Sequence, residues 1–171
     1  SVKNELIEKL VDLSKSLKIG PGYEKDSGLT PVISEKQLEK VEGYARSGIQ
    51  QGAEAVHGGK RVERDGYFME ATVLNNVKQD MTVAREEIFG PVLSVVRVKT
   101  FEEAAKLIND HEYGNGVSIY TRDGDAGRTF ASKIQVGMVG INVPIPVPMA
   151  FHSFGGWKRS LFGDSAMHGM E

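Results

Sequence analysis

Apolar residues recur at helical spacing in the first part of the chain. They follow one another every three or four residues and are Leu6, Leu10, Leu13 and Leu17, with Ile7 beside them. This spacing predicts an amphipathic helix. The helix should end at Gly20-Pro21-Gly22, because proline lacks a backbone donor and glycine accepts left-handed geometry. An exposed loop is expected over Pro21–Pro31.

A second helix is predicted to begin at Ser34, where Gln37 completes a capping-box pattern. Its apolar face is expected to consist of Leu38, Val41, Ala45 and Ile49, with an end at Gly52. Gln37 and Lys40 lie on the polar side of this helix. We therefore expect both side chains to be solvated.

Strand patterns dominate the rest of the chain, beginning with the β-branched and aromatic stretch Tyr67–Leu74. After Pro91, strands alternate with helices in the order Val92–Val98, a helix capped by Thr100 and Glu103, Val117–Thr121, Asp123–Gln135 and Met138–Val143. Short links between alternating strands and helices favour right-handed crossovers and a parallel sheet. The predicted fold class is α/β.

The composition of the chain excludes several classes of function and kinds of site. With 40% hydrophobic and 26% charged residues among 171, the chain is an ordinary globular sequence. Its net charge of −2 provides no strong field for nucleic acid, and no apolar run reaches the length of a bilayer span. The absence of cysteine excludes disulfides, thiolate metal sites and a cysteine nucleophile within the chain. The four histidines are not spaced as a metal-binding pair, so no metal site is predicted.

The run Arg85–Val92 joins two adjacent carboxylates, an aromatic ring and a Gly-Pro turn, and it leads directly into a predicted strand. On a loop aimed by a rigid scaffold, Glu87 could accept hydrogen bonds from a vicinal diol. Phe89 could cover a flat heteroaromatic ring. Alternatively, the carboxylates are solvated and Phe89 fills the core. The residues by themselves leave both interpretations open.

A second candidate lies in the aromatic, glycine-containing loop Phe151–Lys158, which follows an extended segment containing Pro144, Pro146 and Pro148. Phe154 could line an apolar pocket, with Gly155-Gly156 letting the backbone approach a ligand closely. The alternative is an aromatic cluster that closes the core beneath a tight turn.

Taken in order along the chain, these segments resemble the aldehyde dehydrogenase superfamily. The resemblance covers nearly the whole chain, from Leu17–Gly20 and Gly28–Ile33 through Arg85–Val92 to Phe154–Gly156. Arg85–Val92 is its most specific part. The proline-alternating run Gly140–Pro148 is similar to the CoA-acylating branch that acts on malonate semialdehyde and methylmalonate semialdehyde.

The resemblance implies a partial three-layer αβα catalytic domain of an NAD-dependent enzyme. It implies CoA as co-substrate, a small-molecule semialdehyde as substrate, and a homo-tetramer or dimer. By position, Glu87 would bind the nicotinamide-side ribose, Phe89 would pack near the nicotinamide ring, and Phe154 would line the substrate channel. Gln37 and Lys40 fall where adenosine-side contacts are sometimes made. The compartment would be the cytoplasm in a bacterium and the mitochondrial matrix in a eukaryote.

The chain also departs from the superfamily pattern, because the nucleophilic cysteine is missing from it. We expect that cysteine and the cofactor domain upstream of residue 1, and an oligomerisation strand downstream of residue 171. Residues 1–171 would then be part of a catalytic domain and inactive alone. The alternatives are another aldehyde dehydrogenase of the superfamily, or a non-catalytic α/β module that binds a partner through Pro144–Phe154.

Overall fold

The computed structural model describes residues 2–144, 146–149 and 151–163. The chain divides into two compact units, Ser1–Arg97 and Val98–Glu171. Each unit has its own hydrophobic core. Among the described residues, no helix is long and apolar enough to cross a membrane.

The first unit combines three helices with a three-stranded sheet. In chain order its elements are α1 (Val2–Ser16), α2 (Glu35–Gln50), β1 (Glu54–His57), β2 (Thr72–Val77), α3 (Thr82–Arg85) and β3 (Val92–Val96). The central strand β2 pairs antiparallel with β1 and parallel with β3. Helices α1 and α2 confirm the two helices predicted from the apolar spacing. Strand β1 and the single-turn helix α3 were not predicted.

Helix α2 supplies one wall of the core of this unit. Its Ser34 cap accepts a hydrogen bond from the backbone N–H of Gln37, as half of the predicted capping box. The residues that it buries are Leu38, Val41, Ala45 and Gly48. Ile49, predicted for this face, is 45% exposed. Gly48 takes its place because this point of the helix lies against Val83 and Leu74, where a bulky side chain has no room.

The predicted strand over Tyr67–Leu74 begins too early, since β2 starts at Thr72. Phe68 and Met69 are buried, as the apolar pattern suggested. Their segment is irregular because its backbone bonds to nearby loops: Phe68 accepts from Val62, and the N–H of Glu70 bonds to the carbonyl of Lys60. Apolar residues in this stretch therefore report burial rather than regular strand geometry.

The described residues of the second unit form two helices and two small sheets. Its elements are α4 (Phe101–Asp110), β4 (Tyr113–Gly114), β5 (Gly116–Ile119), α5 (Gly124–Lys133), β6 (Met138–Ile141) and β7 (Trp157–Lys158). Strands β5 and β6 are parallel and are linked through α5, whereas β4 and β7 are antiparallel. The core consists of Ala105, Phe130, Ile134 and Val136.

Both helices of the second unit begin at capping residues that the sequence identified. Thr100 accepts from the N–H of Glu103, and Asp123 accepts from the N–H groups of Asp125 and Ala126. Bonds from Ala126 and Asp125 lower the pKa of the Asp123 carboxyl below its usual value. With helices between parallel strands, the predicted α/β class is confirmed.

Candidate functional site

The turn between α3 and β3 places alternate residues inside and outside the core of the first unit. Ile88 is buried, at 8% exposure, and Phe89 is 76% exposed. The interpretation in which Phe89 fills the core is therefore wrong, because Ile88 occupies that position. Phe89 instead presents an aromatic ring to solvent beside Glu87, which is also exposed.

Phe89 holds an uncommon backbone conformation, with φ at +57°. The left-handed region costs a residue with a Cβ roughly 1–2 kcal/mol. Such strain persists where the surrounding structure enforces it, and it is enriched at functional positions. The conformation lets Ile88 point inward while its neighbour Phe89 points outward at a sharp bend.

Gln37 contacts this bend directly. Its side-chain Nε2 donates to the carbonyl oxygen of Ile88 at 3.1 Å and to that of Phe89 at 3.0 Å. The expectation that Gln37 is solvated is therefore wrong. Its amide also does not complete the capping box, because it reaches across to the turn. Lys40 remains near the surface, with its ammonium 5.6 Å from the centre of the Tyr44 ring.

The two adjacent carboxylates of the turn have different surroundings. Tyr44 on α2 donates its hydroxyl hydrogen to Oε2 of Glu86 at 2.6 Å. That hydrogen bond raises the pKa of the Tyr44 hydroxyl above its usual value. Glu87 has no hydrogen bond or ion pair from any side chain in the described part of the chain. It therefore retains its full capacity to accept hydrogen bonds from a ligand.

A close backbone approach fixes the other side of the turn. A Cβ built on Gly90 would lie 2.5 Å from Cγ2 of Val41. Only glycine allows the turn to reach α2 this closely. Three residues of α2 that touch the turn, Gln37, Val41 and Tyr44, lie on one face at spacings of four and three residues. Sequence reasoning found Val41 but missed the other two, although this spacing was the available signal.

Phe154 lies in the second unit and is half-buried. The glycines that follow it pack against their own chain. A Cβ on Gly137 would lie 1.7 Å from the carbonyl oxygen of Gly155, and one on Gly156 would lie 2.4 Å from Cβ of Ser160. Close packing within the chain is therefore sufficient reason for glycine at positions 137 and 156, whereas a Cβ on Gly155 would lie 3.2 Å from Cδ1 of Leu161.

Lys158 anchors the end of the Phe154 loop. Its Nζ donates to the carbonyl oxygens of Ile108 and Asn109 at 3.1 and 2.9 Å, in the last turn of α4. The Ile108 carbonyl also accepts from the backbone N–H of His111. Lys158 itself has φ at +56°. A cation at a helix C-terminus is also favoured by the helix dipole. The sequence placed Lys158 in a loop and gave no indication of this bond.

The structure thus places Glu87 and Phe89 side by side on one turn of the first unit, and Phe154 on an anchored loop of the second. A family model described as the aldehyde dehydrogenase family matches residues 1–171. The chain belongs to the aldehyde dehydrogenase family. The resemblance stated from the sequence is therefore confirmed.

Individual relatives support the assignment of the chain to the aldehyde dehydrogenase family. A malonate-semialdehyde dehydrogenase of Pseudomonas aeruginosa is 52% identical over 98% of the chain. A Sinorhizobium meliloti protein, solved in complex with NAD and designated a methylmalonate-semialdehyde dehydrogenase, superposes with a TM-score of 0.93 at 50% identity over 98% of the chain. An NAD+ complex of an aldehyde dehydrogenase from Bacillus cereus superposes with a TM-score of 0.90 at 34% identity over 96% of the chain.

The chain spans about a third of the length of these relatives: 35% of the Pseudomonas aeruginosa protein, 35% of the Sinorhizobium meliloti protein and 33% of the Bacillus cereus protein. The described fold therefore corresponds to a part of the fold of the two solved relatives.

Proposed function

We propose that this chain is part of an NAD-dependent, CoA-acylating dehydrogenase of malonate semialdehyde or methylmalonate semialdehyde. The observation that carries the proposal is the 52% identity to a malonate-semialdehyde dehydrogenase over 98% of the chain. The gap in identity between the semialdehyde relative at 50% and the Bacillus cereus aldehyde dehydrogenase at 34% favours the semialdehyde branch over other aldehydes. The match of the family model to all 171 residues favours an enzyme over an interaction module.

For malonate semialdehyde, the proposed overall reaction converts the semialdehyde, CoA and NAD+ into acetyl-CoA, CO2 and NADH. The aldehyde hydrogen leaves as hydride, the carboxylate leaves as CO2, and the thiol proton of CoA replaces it on the neighbouring carbon. The nucleophile for this chemistry must come from outside these residues, because the chain contains no cysteine. We propose that residues 1–171 contribute binding and orientation.

The turn of the first unit fits one end of a dinucleotide. An exposed carboxylate without a side-chain partner suits the vicinal hydroxyls of a ribose, and an exposed ring suits contact with a nicotinamide face. We assign these roles to Glu87 and Phe89. When bound, NAD accepts the hydride, and the chain's own residues would hold its ribose and ring in place. In the second unit, the half-buried ring of Phe154 would line the substrate channel.

The test uses the intact enzyme that carries this chain. NADH formation is followed at 340 nm with malonate semialdehyde, methylmalonate semialdehyde, acetaldehyde and betaine aldehyde, each with and without CoA. We expect the highest kcat/KM with one of the two semialdehydes, and a thioester product only when CoA is present. Equal or better turnover of acetaldehyde or betaine aldehyde, or a free acid as product in the presence of CoA, would refute the proposal.

A pair of adjacent substitutions tests the ribose assignment. Glu87→Gln removes the charge and half of the acceptor capacity at the proposed ligand, whereas Glu86→Gln changes a carboxylate that is bonded to Tyr44. One charge-assisted hydrogen bond corresponds to about 1.5–3 kcal/mol. We expect the KM for NAD to rise about 10- to 100-fold in Glu87→Gln and by less than about threefold in Glu86→Gln. An unchanged KM in Glu87→Gln excludes it as the ribose ligand.

A further inference from the structure

We infer that Gln37 is a positioning residue that sets the geometry of the proposed cofactor contact by holding the turn at Phe89. The inference rests on the proposed function, because it concerns how Glu87 and Phe89 are aimed. Gln37 acts through the backbone of the turn, and no contact between its side chain and the cofactor is required.

The first part of the argument is the bond pattern. A single amide group, Nε2 of Gln37, donates one hydrogen to each of two consecutive carbonyls, those of Ile88 and Phe89. Two consecutive carbonyls can point toward one donor only when the backbone between them bends sharply. The left-handed φ of +57° at Phe89 provides that bend. The two hydrogen bonds therefore depend on the bend at Phe89, because consecutive carbonyls of an extended backbone point to opposite sides.

The second part is energetic. The left-handed conformation of Phe89 costs roughly 1–2 kcal/mol, and each amide–carbonyl bond returns about 0.5–1.5 kcal/mol. These magnitudes are comparable, so the two bonds together offset the strain. Without them, extended and right-handed conformations of Phe89 become competitive. In either of these the ring of Phe89 and the carboxylate of Glu87 would point elsewhere.

The third part concerns what else could hold the turn. Gly90 reaches Val41 closely, and Glu86 is tied to Tyr44, so both ends of the segment are fixed on α2. The peptide units between these ends, at Glu87, Ile88 and Phe89, have Gln37 as their only side-chain donor within the described residues. The aim of Glu87 therefore depends on the Gln37 amide.

The experiment compares two substitutions on α2 in the intact enzyme. Gln37→Met keeps the length of the side chain and removes its donors. Gln50→Met makes the same chemical change at an exposed position of α2, for which the described part of the chain provides no side-chain hydrogen bond. Hydrogen exchange over residues 86–92 is measured without cofactor, and KM for NAD, KM for the semialdehyde and kcat are measured for both variants.

We expect Gln37→Met to accelerate exchange over residues 86–92 several-fold and to raise the KM for NAD on the order of 10-fold, with the KM for the semialdehyde unchanged within about twofold. Gln50→Met should leave all of these values unchanged. In a double-mutant cycle, Gln37→Met and Glu87→Gln should raise the KM for NAD by clearly less than the product of their separate effects, because the first acts through the second.

Three outcomes would overturn the inference. Unchanged exchange with a raised KM would mean that Gln37 contacts the cofactor itself. Faster exchange with an unchanged KM would mean that the conformation of the turn is irrelevant to binding. Where Glu87→Gln by itself raises the KM, fully multiplicative effects in the cycle would mean that the two residues act independently. If Glu87→Gln alone leaves the KM unchanged, the ribose assignment fails, whereas faster exchange with a raised KM in Gln37→Met would still support positioning through Phe89.

Discussion

Tyr44 donates its hydroxyl hydrogen to Oε2 of Glu86 across 2.6 Å, and this bond distinguishes two carboxylates that are adjacent in the sequence. Glu86 is directed onto α2, whereas its neighbour Glu87 has no side-chain partner in the part of the chain that the structure describes. The pair illustrates a division of roles within the turn, in which one carboxylate secures the backbone and the other remains available for a ligand.

This bond gives a prediction about pH. Because the pKa of Tyr44 is raised in the folded state, the bond stabilises the protein fully below the usual tyrosine pKa near 10. Its contribution is lost as pH rises through the raised pKa. At pH 7, Tyr44→Phe should lower the free energy of unfolding by about 0.5–1 kcal/mol, since the pair is partly exposed.

Urea titrations between pH 7 and pH 11 check this prediction. The difference between the wild type and Tyr44→Phe should shrink above pH 10. The control is Tyr23→Phe, since Tyr23 is 89% exposed and its hydroxyl has no hydrogen-bond partner within the described residues. A difference that persists unchanged at pH 11 contradicts the assignment of the stabilisation to this hydrogen bond.

A second prediction separates the strain of the turn from the role of its ring. Asparagine tolerates the left-handed region better than other residues with a Cβ, and a β-branched residue tolerates it poorly. With φ at +57°, Phe89→Val should be about 1–2 kcal/mol less stable than Phe89→Asn. Both variants lack the ring, so both should raise the KM for NAD. Equal stabilities would show that the backbone relaxes, and a normal KM in both variants would argue against nicotinamide contact.

Much of this fold follows from local patterns, whereas the site depends on tertiary contacts. The spacing of Leu6 to Leu17 predicted α1, and Ser34, Thr100 and Asp123 marked helix starts correctly. These signals are local, because an apolar stripe or a capping side chain acts within one or two turns. The same locality explains the early start of the predicted strand over Tyr67–Leu74, where burial without regular pairing gave a strand-like pattern.

The candidate site was predictable only in part. Its chemistry could be identified from the sequence, since the types and order of residues in Arg85–Val92 indicated a carboxylate beside a ring. The exposure of Phe89 could not be predicted from the sequence. The hydrogen bond that shapes its turn joins the Phe89 carbonyl to Gln37, which is 52 residues away in the chain. The residue type of Gln37 does not distinguish a side chain that bonds to the turn from a solvated one, and only its spacing from Val41 and Tyr44 indicates the face of α2 that meets the turn. Sequence spacing alone likewise could not show that Glu86 bonds to Tyr44 while Glu87 has no side-chain partner in the described part of the chain.

A third prediction concerns two glycines of helix α2, Gly43 and Gly48. A Cβ on Gly43 would meet nothing within 4 Å, whereas one on Gly48 would lie 3.0 Å from Cγ1 of Val83 and 3.2 Å from Cδ1 of Leu74. Gly43→Ala should stabilise the protein by about 0.5–1 kcal/mol through helix propensity. Gly48→Ala gains the same propensity but suffers overpacking of about 1–3 kcal/mol, so it should be destabilising.

Chemical denaturation of the two alanine variants and the wild type decides the matter. The slope of unfolding free energy against denaturant should be unchanged in Gly43→Ala, so that its midpoint alone moves upward. Stabilisation by Gly48→Ala would mean that the contact between α2, β2 and α3 is looser than the structure indicates.

A fourth prediction concerns the anchor of the Phe154 loop. Lys158→Met removes two hydrogen bonds to the carbonyls of Ile108 and Asn109, and it should cost about 1–2 kcal/mol because the side chain is half-buried. Lys106→Met on α4, the helix that contains Ile108 and Asn109, removes only an exposed ion pair with Asp110. It should lower the free energy of unfolding by about 0.5 kcal/mol or less. Hydrogen exchange at the end of α4 should accelerate in the first variant alone. Equal costs in the two variants would show that Lys158 is not an anchor.

The last prediction concerns the isolated 171-residue chain, which we expect to form no NADH. Hydride transfer in the proposed mechanism needs a thiolate, and the chain has no cysteine to supply one. Binding is limited as well, since one charge-assisted hydrogen bond provides about 1.5–3 kcal/mol, whereas even millimolar affinity takes about 4 kcal/mol. The purified chain is incubated with malonate semialdehyde, NAD and CoA, its helix content being checked by circular dichroism. NADH formation above a no-protein control would refute the proposal that these residues contribute binding and orientation without the nucleophile.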